Sequence, residues 1–445
     1  MIDSGPSVRV CTRREVLRKS SVAAGLAGGL SLARTAHAAG SDVVKIALVG
    51  CGGRGTGAAA DAIRNAAGAK VKLVAMADAF KDRLDGSLAN IRRALGEKAA
   101  EHLDVPDDRK FVGLNCHEQA IASGADMVLL CGPPGFRPLQ FEAAVKAGKH
   151  VFMEKPVATD APGVRRVLAA NAQARQKGLL VAVGHHLRHE VKHREVVRRV
   201  HEGAIGPISY MRAYFNSSGV WRRPRQPGET EMQHQVRNWY YFTWLSGDHI
   251  GEQHVHDLDV CNWMMQDQHP MEANGMGGRQ VRVGPDVGEI FDHHCVEFTY
   301  ADGTKMFSQC RHIPNTWGSF SQHVHGLKGR AHIEGHGASE LFVEGQEPQR
   351  WKRGPDGHQL EHDDLFAALL AGKPYNEGDW ATNSSMTAIL GRMATYSGQV
   401  VKWDDAIKSS LDLCPANFAW DAETKVKPNA DGLYACAMPG VTKGY

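Results

Sequence analysis

The chain has 445 residues, of which 42% are hydrophobic and 23% are charged, and its formal net charge is +3. This length accommodates two domains with substantial cores, and the composition is ordinary for a globular protein. The small net charge argues against nucleic acid or an anionic membrane as a partner. No apolar stretch reaches the length of about 18 residues that is needed to span a bilayer.

The first 38 residues have the order of an export signal. A basic region with Arg13 and Arg14 precedes a mildly hydrophobic segment at 20–33 and a small-residue pattern that ends at Ala38. This order predicts a twin-arginine signal peptide at residues 1–38 and a periplasmic or otherwise exported protein. An N-terminal amphipathic helix that stays on the protein is the alternative interpretation.

Residues 43–55 predict a strand, a glycine turn and a helix. The strand residues are apolar apart from Lys45 and rich in β-branched side chains, and Gly50, Gly52 and Gly55 then form G-x-G-x-x-G. The first glycine permits a tight turn, the second lets a pyrophosphate approach the backbone, and the third lets the helix pack on the strand. The helix begins near Arg54 and would direct its free N–H groups at the phosphates. These four residues are the first candidates for binding a dinucleotide.

A second apolar run at residues 71–77 ends in Asp78. An acidic residue at the end of the second strand is placed to bind the adenosine ribose hydroxyls. Because a carboxylate would repel a ribose 2′-phosphate, Asp78 favours NAD over NADP. Lys81 and Arg83 follow closely and leave NADP possible. The structural alternative for Asp78 is a surface carboxylate in a turn.

Alternating short strands and helices from residue 45 to 156 predict a doubly wound parallel sheet of the Rossmann type. The strand at 125–131 ends in a turn that includes Pro133, at the sheet edge where ligands of such folds bind. The strand at 150–153 ends in Glu154-Lys155-Pro156, and one more short strand spans 179–183.

The pattern changes after residue 207. Strand-like segments follow at 208–215, 293–300, 305–311, 319–325 and 329–333. Several alternate with period two, and hairpin signals join them, so they predict a mostly antiparallel sheet. Helices are expected within 246–266, 364–370 and 386–396. The predicted fold is therefore α/β, with a nucleotide-binding domain at 39–160, an α+β substrate-binding and oligomerisation domain at 161–403, and a C-terminal tail at 404–445.

Acidic and histidine residues cluster at 248–259. On a helix, Glu252 and His256 lie four residues apart and share one face, with carboxylates one turn away on either side. His254 and His256 are also competent metal ligands, but they would project from different faces of a helix. We therefore expect no metal, unless the segment is extended.

The insertion at 216–244 alternates aromatic and basic residues. They are Trp221, Arg222, Arg223, Arg225, Arg237, Trp239, Tyr240, Tyr241 and Trp244. Aromatic faces beside guanidinium donors suit a sugar ring, and they suit a subunit interface equally.

The glycine motif, Glu154-Lys155-Pro156, the histidine-rich segment around Arg188 and the antiparallel second domain together resemble the Gfo/Idh/MocA oxidoreductases, the family of glucose-fructose oxidoreductase and inositol dehydrogenase. The resemblance covers essentially the whole chain after the leader. It implies that Lys155 lies beside the nicotinamide and the substrate hydroxyl, and that His256 is the general base. Glu252 stands where the family carries Asp as the orienting acid.

The resemblance also places Arg188 in support of these residues, and it adds Glu154, Lys155, Pro133 and Arg188 to the cofactor contacts. It implies a homo-oligomer formed through the C-terminal sheet. We expect an NAD(P)-dependent oxidoreductase that acts on a secondary hydroxyl of a sugar, glycoside or cyclitol. Because no pool of free NAD is expected outside the cytoplasm, the cofactor should be tightly bound. The alternatives are an NAD-dependent glycosidase that oxidises its substrate transiently, and a non-enzymatic NAD- or sugar-binding protein.

Overall fold

The structure, a computed structural model, describes residues 43–444. The twin-arginine prediction for residues 1–38 lies outside this range. Within it, none of the helices is long and apolar enough to cross a membrane.

The first sheet has six strands in the order β3-β2-β1-β4-β5-β6, and every pairing is parallel. The strands are β1 (Val43–Val49), β2 (Lys70–Asp78), β3 (Lys110–Val112), β4 (Met127–Leu130), β5 (His150–Met153) and β6 (Val181–Val183). The order reverses at β1, so a crevice opens at the carboxyl ends of β1 and β4. The predicted Rossmann-type sheet is confirmed.

Six helices connect or cover these strands. They are α1 (Gly53–Ile63), α2 (Lys81–Leu95), α3 (Ala99–His102), α4 (Cys116–Ala122), α5 (Arg137–Lys146) and α6 (Ala161–Gln176). The domain continues past the predicted boundary at residue 160, because β6 pairs with β5 as the last strand of the sheet. The sequence places that strand correctly, but assigns it to the second domain.

The second sheet has nine strands in the order β14-β13-β12-β11-β7-β10-β9-β8-β15. They are β7 (Ile208–Ser217), β8 (Glu272–Gly278), β9 (His293–Thr299), β10 (Lys305–His312), β11 (Ser319–Gly326), β12 (Gly329–Glu334), β13 (Ser339–Val343), β14 (Gln349–Trp351) and β15 (Val401–Lys402). Only the pairing of β10 with β7 is parallel among these described strands. The mostly antiparallel second domain is thus confirmed, and one face of the sheet packs on helices.

The remaining helices are α7 (Val191–His201), α8 (Glu231–Arg237), α9 (Thr243–Ser246), α10 (Asp248–Glu252), α11 (Val255–Met264), α12 (Gly357–Leu370), α13 (Gly378–Ser397) and α14 (Trp403–Lys408). The helix expected within 246–266 is broken. It consists of α10 and α11 with Gln253 and His254 between them, so Glu252 and His256 lie on different helices.

Helix α13 is buried along most of its length and links the two domains. It packs on the second sheet and on α6, while the adjacent Glu377 accepts a hydrogen bond from the Val183 N–H at 2.8 Å. The tail crosses the surface, as the sequence predicts. There Phe418 and Trp420 pack on Phe136 and Phe80 of the first domain.

Candidate functional site

The glycine turn leaves room for a ligand above Gly52. A β-carbon at Gly50, whose φ is +94°, would lie 2.2 Å from the Gly132 nitrogen, and one at Gly55 would lie 2.0 Å from the Gly50 oxygen. These two glycines are therefore required by close packing. At Gly52, the N-cap of α1, a β-carbon would meet nothing within 4 Å. The helix N–H groups thus face an open cradle that fits a pyrophosphate.

A cavity of about 320 Å³ extends from this cradle. Among the residues that line it are Gly50, Gly52, Arg54, Asp78, Phe80, Arg83, Pro133, Trp221, Arg223, Arg237 and Trp239. The carboxylate of Asp78 accepts hydrogen bonds from the N–H groups of Cys51 at 2.6 Å and Phe80 at 2.9 Å. These bonds fix the carboxylate at the end of β2, and burial raises its pKa. The arrangement fits the adenosine ribose of a dinucleotide.

A second cavity, of about 340 Å³, adjoins the first, and we call it the chamber. Its lining includes Lys155, His186, Phe215, Glu252, Gln253, His256, Phe320, His336 and His358. Arg54, Cys131, Gly132 and Trp239 line both cavities. The chamber therefore begins where the cofactor cavity ends, between the two domains.

Lys155 and Glu252 form a buried ion pair across the domain boundary. The ammonium Nζ lies 3.1 Å from Glu252 Oε1, and it also donates to the Glu252 carbonyl. Burial raises the pKa of Glu252, while the positive charge of Lys155 opposes that rise. The pair holds the ammonium at the chamber wall.

His256 lies in the first turn of α11 and lines the chamber. Its Nδ1 atom is buried and has no hydrogen-bond partner among residues 43–444. Burial lowers the pKa of His256 well below its ordinary value, and the charge of Lys155 lowers it further. The neighbouring His185 and His186 have pKa values lowered by burial to about 4 and about 3. All three imidazoles are therefore neutral at neutral pH.

Residues 44–185 match the sequence profile of GFO_IDH_MocA, an oxidoreductase family with an NAD-binding Rossmann fold. The nucleotide-binding domain belongs to the Gfo/Idh/MocA oxidoreductase family. The family description agrees with the glycine turn, Asp78 and the cavity above them, which fit NAD.

Relatives extend this likeness to part of the second domain. Inositol 2-dehydrogenase of Cereibacter sphaeroides is 28% identical over 229 residues, which is 51% of this chain and 55% of that protein. The 1,5-anhydro-D-fructose reductase of Ensifer adhaerens is 29% identical over 184 residues, covering 40% and 50% of the two chains. The chain thus spans about half the length of these relatives.

Solved structures share most of the fold. Aldose-aldose oxidoreductase from Caulobacter crescentus, complexed with glycerol, superposes with a TM-score of 0.63 at 18% identity. Levoglucosan dehydrogenase, in complex with NADH and levoglucosan, superposes with a TM-score of 0.63 at 14% identity. Each comparison covers 81% of this chain and 99% of the other. At these identities the likeness shows the two-domain fold alone.

Glu154 lies between the two cavities, beside Arg54. Its Oε1 atom is 3.0 Å from Arg54 Nε, while Arg54 also pairs with Asp61 at 3.1 Å. A β-carbon at Gly184 would lie 2.6 Å from Glu154 Oε2, so a side chain there would displace this carboxylate. Glu154 thus holds Arg54 at the junction of the cavities.

Arg188 lies in the core beside Asp259 and Trp380. It lines neither cavity, and its guanidinium forms a bidentate pair with Asp259 at 2.8 and 2.9 Å. It also pairs with Asp267 at 2.8 Å and lies 3.7 Å from the ring centroid of Trp380. A buried guanidinium satisfied in this way stabilises the core, and the cofactor contact of Arg188 stays a prediction.

The histidines of the 248–259 segment face different surroundings. His254 bonds to Asp257 at 3.1 Å and to Ser308 at 2.7 Å in the core, whereas His256 faces the chamber. Asp248, His249 and His294 place their ligand atoms within 4.8 Å of one another. The Asp248 carboxylate is already bonded to both rings, at 2.7 and 3.2 Å, so this cluster forms a hydrogen-bonded core network.

Sequence reasoning missed Gln253, whose side chain also lines the chamber. Arg282 Nη2 donates to His312 Nδ1 at 2.5 Å, which leaves His312 Nε2 as the donor to Gln253 Oε1, also at 2.5 Å. A charged guanidinium can only donate, so His312 must accept at Nδ1 and donate at Nε2. The Gln253 amide therefore turns its oxygen towards His312. The amide N–H groups of Gln253 remain for a ligand. No local sequence pattern predicts this role, because His312 lies 59 positions from Gln253 in the sequence.

Proposed function

We propose that the protein is an NAD(P)-dependent oxidoreductase that transfers hydride between a secondary hydroxyl of a sugar, glycoside or cyclitol and a tightly bound nicotinamide cofactor. One observation carries the proposal. Lys155 and His256, from different domains, line one chamber that adjoins the dinucleotide cavity.

The side chains of the chamber suit oxidation of a carbinol. When bound, NAD supplies the two-electron acceptor that takes hydride from the substrate carbon. The Lys155 ammonium would donate a hydrogen bond to the hydroxyl oxygen and stabilise the charge that develops there. His256 would accept the hydroxyl proton and hold it as an imidazolium, because its lowered pKa leaves the ring neutral before the reaction. Glu252 keeps the ammonium in position.

An uncharged polyol is the substrate class that the chamber favours. Among the described residues that line it, Lys155 pairs with Glu252 and Arg54 with Glu154. The third cation, Arg137, donates to the backbone carbonyls of Leu130, Gly132 and Pro156. No guanidinium or ammonium of the chamber is therefore left without a partner for a carboxylate or phosphate. Neutral hydrogen-bonding groups are provided by Gln253 and by His186, His256 and His358, whose pKa values burial lowers. The relatives named for inositol and 1,5-anhydro-D-fructose support the same class.

The test is to purify the protein with its native cofactor and offer a panel of cyclitols, sugars and aryl glycosides. The absorbance of reduced nicotinamide and the release of aglycone are followed together. Accumulating reduced cofactor without aglycone is the expected result. Aglycone with no net reduction would indicate the NAD-dependent glycosidase instead. No signal with any compound, and ligand binding that is insensitive to Lys155→Ala, would indicate a binding protein.

Export is a further part of this proposal, and it rests on the Arg13–Arg14 pattern. A periplasmic enzyme would leave the cytoplasm folded, with its cofactor loaded. The double substitution of Arg13 and Arg14 by lysine should retain the protein in the cytoplasm on cell fractionation. Unchanged export would refute the twin-arginine route.

Self-association through the second sheet completes the proposal. The sheet face away from the helices exposes Tyr210, Met276 and Phe307 among its apolar side chains. An exposed apolar face of this kind is typical of an interface. Phe307→Glu should therefore convert a homo-oligomer into smaller species in analytical ultracentrifugation. A wild-type monomer would contradict the assignment.

A further inference from the structure

The insertion at 216–244 forms one wall of the cofactor cavity. Trp221, Arg223, Arg237 and Trp239 all line that cavity, and only Trp239 also reaches the chamber. The sequence was compatible with either a sugar site or a subunit interface in this insertion. In the structure, the insertion lines the cofactor cavity instead. A segment of the second domain therefore forms part of the cofactor cavity of the first.

Besides Arg54, three guanidinium groups line the cofactor cavity, and one of these three is paired. Arg237 bonds to Glu229 at 3.0 Å and to Asp82 at 3.2 Å. By contrast, Arg83 and Arg223 make no ion pair and no side-chain hydrogen bond with any residue in the described range 43–444. Both line the cavity and are partly buried.

Arg223 is held in place without an anionic partner. Its guanidinium lies 4.4 Å from the ring centroid of Trp221, and its backbone N–H donates to Asn238 at 3.0 Å. Burial lowers its pKa, and the positive charges of Arg83 and Arg237 lower it further. Asp78, whose oxygens already accept two backbone N–H groups, does not pair with either free guanidinium. An anion bound between Arg83 and Arg223 would relieve their repulsion.

We propose that Arg83 and Arg223 bind a phosphoryl group of the bound dinucleotide, so that the insertion is a clamp that retains the cofactor. This proposal rests on dinucleotide binding by the same site. Arginine forks suit phosphate oxygens, and such charge-assisted hydrogen bonds are among the strongest in proteins. The clamp joins the two domains through the ligand, which would slow its release. An exported enzyme that does not exchange its cofactor needs that property.

The test uses the full chain freed of nucleotide, with NAD⁺ and NADP⁺ as probes. Affinity is measured by isothermal titration calorimetry and release by stopped-flow fluorescence, for wild type, Arg83→Gln and Arg223→Gln. Arg222→Gln is the matched control, because Arg222 is the exposed neighbour that does not line the cavity. Each cavity variant should weaken binding about 10-fold or more and speed release, from the worth of a charge-assisted bond. The control should bind as wild type does.

Every outcome decides the proposal. Weaker binding of both nucleotides supports a contact with the pyrophosphate, and weaker binding of NADP⁺ alone supports a contact with the 2′-phosphate. Arg223→Lys keeps the charge but loses the fork, so it should fall between wild type and Arg223→Gln. Unchanged affinity and release in Arg83→Gln and Arg223→Gln would overturn the clamp. If wild type itself bound neither nucleotide, the proposed function would fail rather than the clamp alone.

Discussion

Replacing Lys155 by Met should make the stability of the protein depend on pH. The substitution removes the ammonium and leaves Glu252 facing an apolar side chain. Burial already raises the pKa of Glu252, and the charge of Lys155 is the largest effect that lowers it. The pKa of Glu252 should therefore rise further in the variant.

The Lys155–Glu252 ion pair determines how much the free energy of unfolding changes and at which pH. Removing one partner of a buried ion pair costs about 3–5 kcal/mol if the remaining group stays charged. Protonation of Glu252 avoids that cost. Keeping the carboxyl protonated costs about 1.4 kcal/mol for each unit by which the pH exceeds the pKa of the carboxyl in the unfolded chain. A folded-state pKa above the unfolded value gives stability that is present at low pH and lost as pH rises through the folded pKa. Lys155→Met should thus be close to wild type near pH 5 and up to about 3–5 kcal/mol less stable near pH 8.

Urea unfolding of nucleotide-free protein at both pH values measures this difference. Lys146→Met is the control, since Lys146 forms an exposed pair with Glu142 at 2.7 Å. Exposed pairs contribute about 1 kcal/mol or less, so the control should change little at either pH. Hydride transfer by Lys155→Met should fall about 10²- to 10⁴-fold with NAD affinity retained. An equal loss of stability at the two pH values would refute the buried-pair argument.

Further substitutions test the other parts of the site. His256→Gln should slow hydride transfer about 10²- to 10⁴-fold in single-turnover assays, with an unchanged Kd for NAD; a normal rate would remove His256 from the chemistry. Asp78→Ala should raise the Kd for NAD about 10-fold in calorimetry and affect NADP less, and an equal effect on both would contradict a ribose contact. Gln253→Leu should raise KM more than it lowers kcat, because the amide binds a hydroxyl and transfers no proton; a loss confined to kcat would contradict this role. The pKa of His185 is lowered to about 4 in the folded protein. As pH falls below about 6.5, the unfolded chain takes up a proton at this ring and the folded protein does not, so the free energy of unfolding falls, by about 2 kcal/mol at pH 5. In urea unfolding, His185→Asn should remove that part of the acid destabilisation, and parallel profiles for variant and wild type would show that burial of His185 is not the cause.

The dinucleotide half of the site was predictable because its signals are local. The strand, the glycine turn and Asp78 fall within 36 consecutive residues, 43–78, and steric rules fix what each glycine does. Five strands of the second sheet were also predicted, because their side chains alternate between a buried and an exposed face. Four of the nine strands were missed. One of them is Glu272–Gly278, whose glycines weaken that alternation.

Where a side chain ends up depended on partners that are distant in the chain. Arg188 follows a strand at the ligand edge, yet Asp259 and Trp380 draw it into the core. The insertion at 216–244 has a composition that suits several ligands, and only its packing over the first domain places Arg223 in the cofactor cavity. Glu252 and His256 were paired by helical spacing, but a break at Gln253 puts them on two helices of one wall.

The sequence by itself determined that the chain builds a Rossmann domain with an NAD site and a second, mostly antiparallel domain. Backbone sterics and hydrophobic periodicity act over a few residues, so they can be read along the chain. The tertiary structure alone decided which charges are neutralised, which remain free in a cavity, and which residues from separate domains share one chamber. Those properties depend on burial and on contacts between residues far apart in the chain, such as Lys155 and Glu252, which are 97 positions apart, and no local pattern records them.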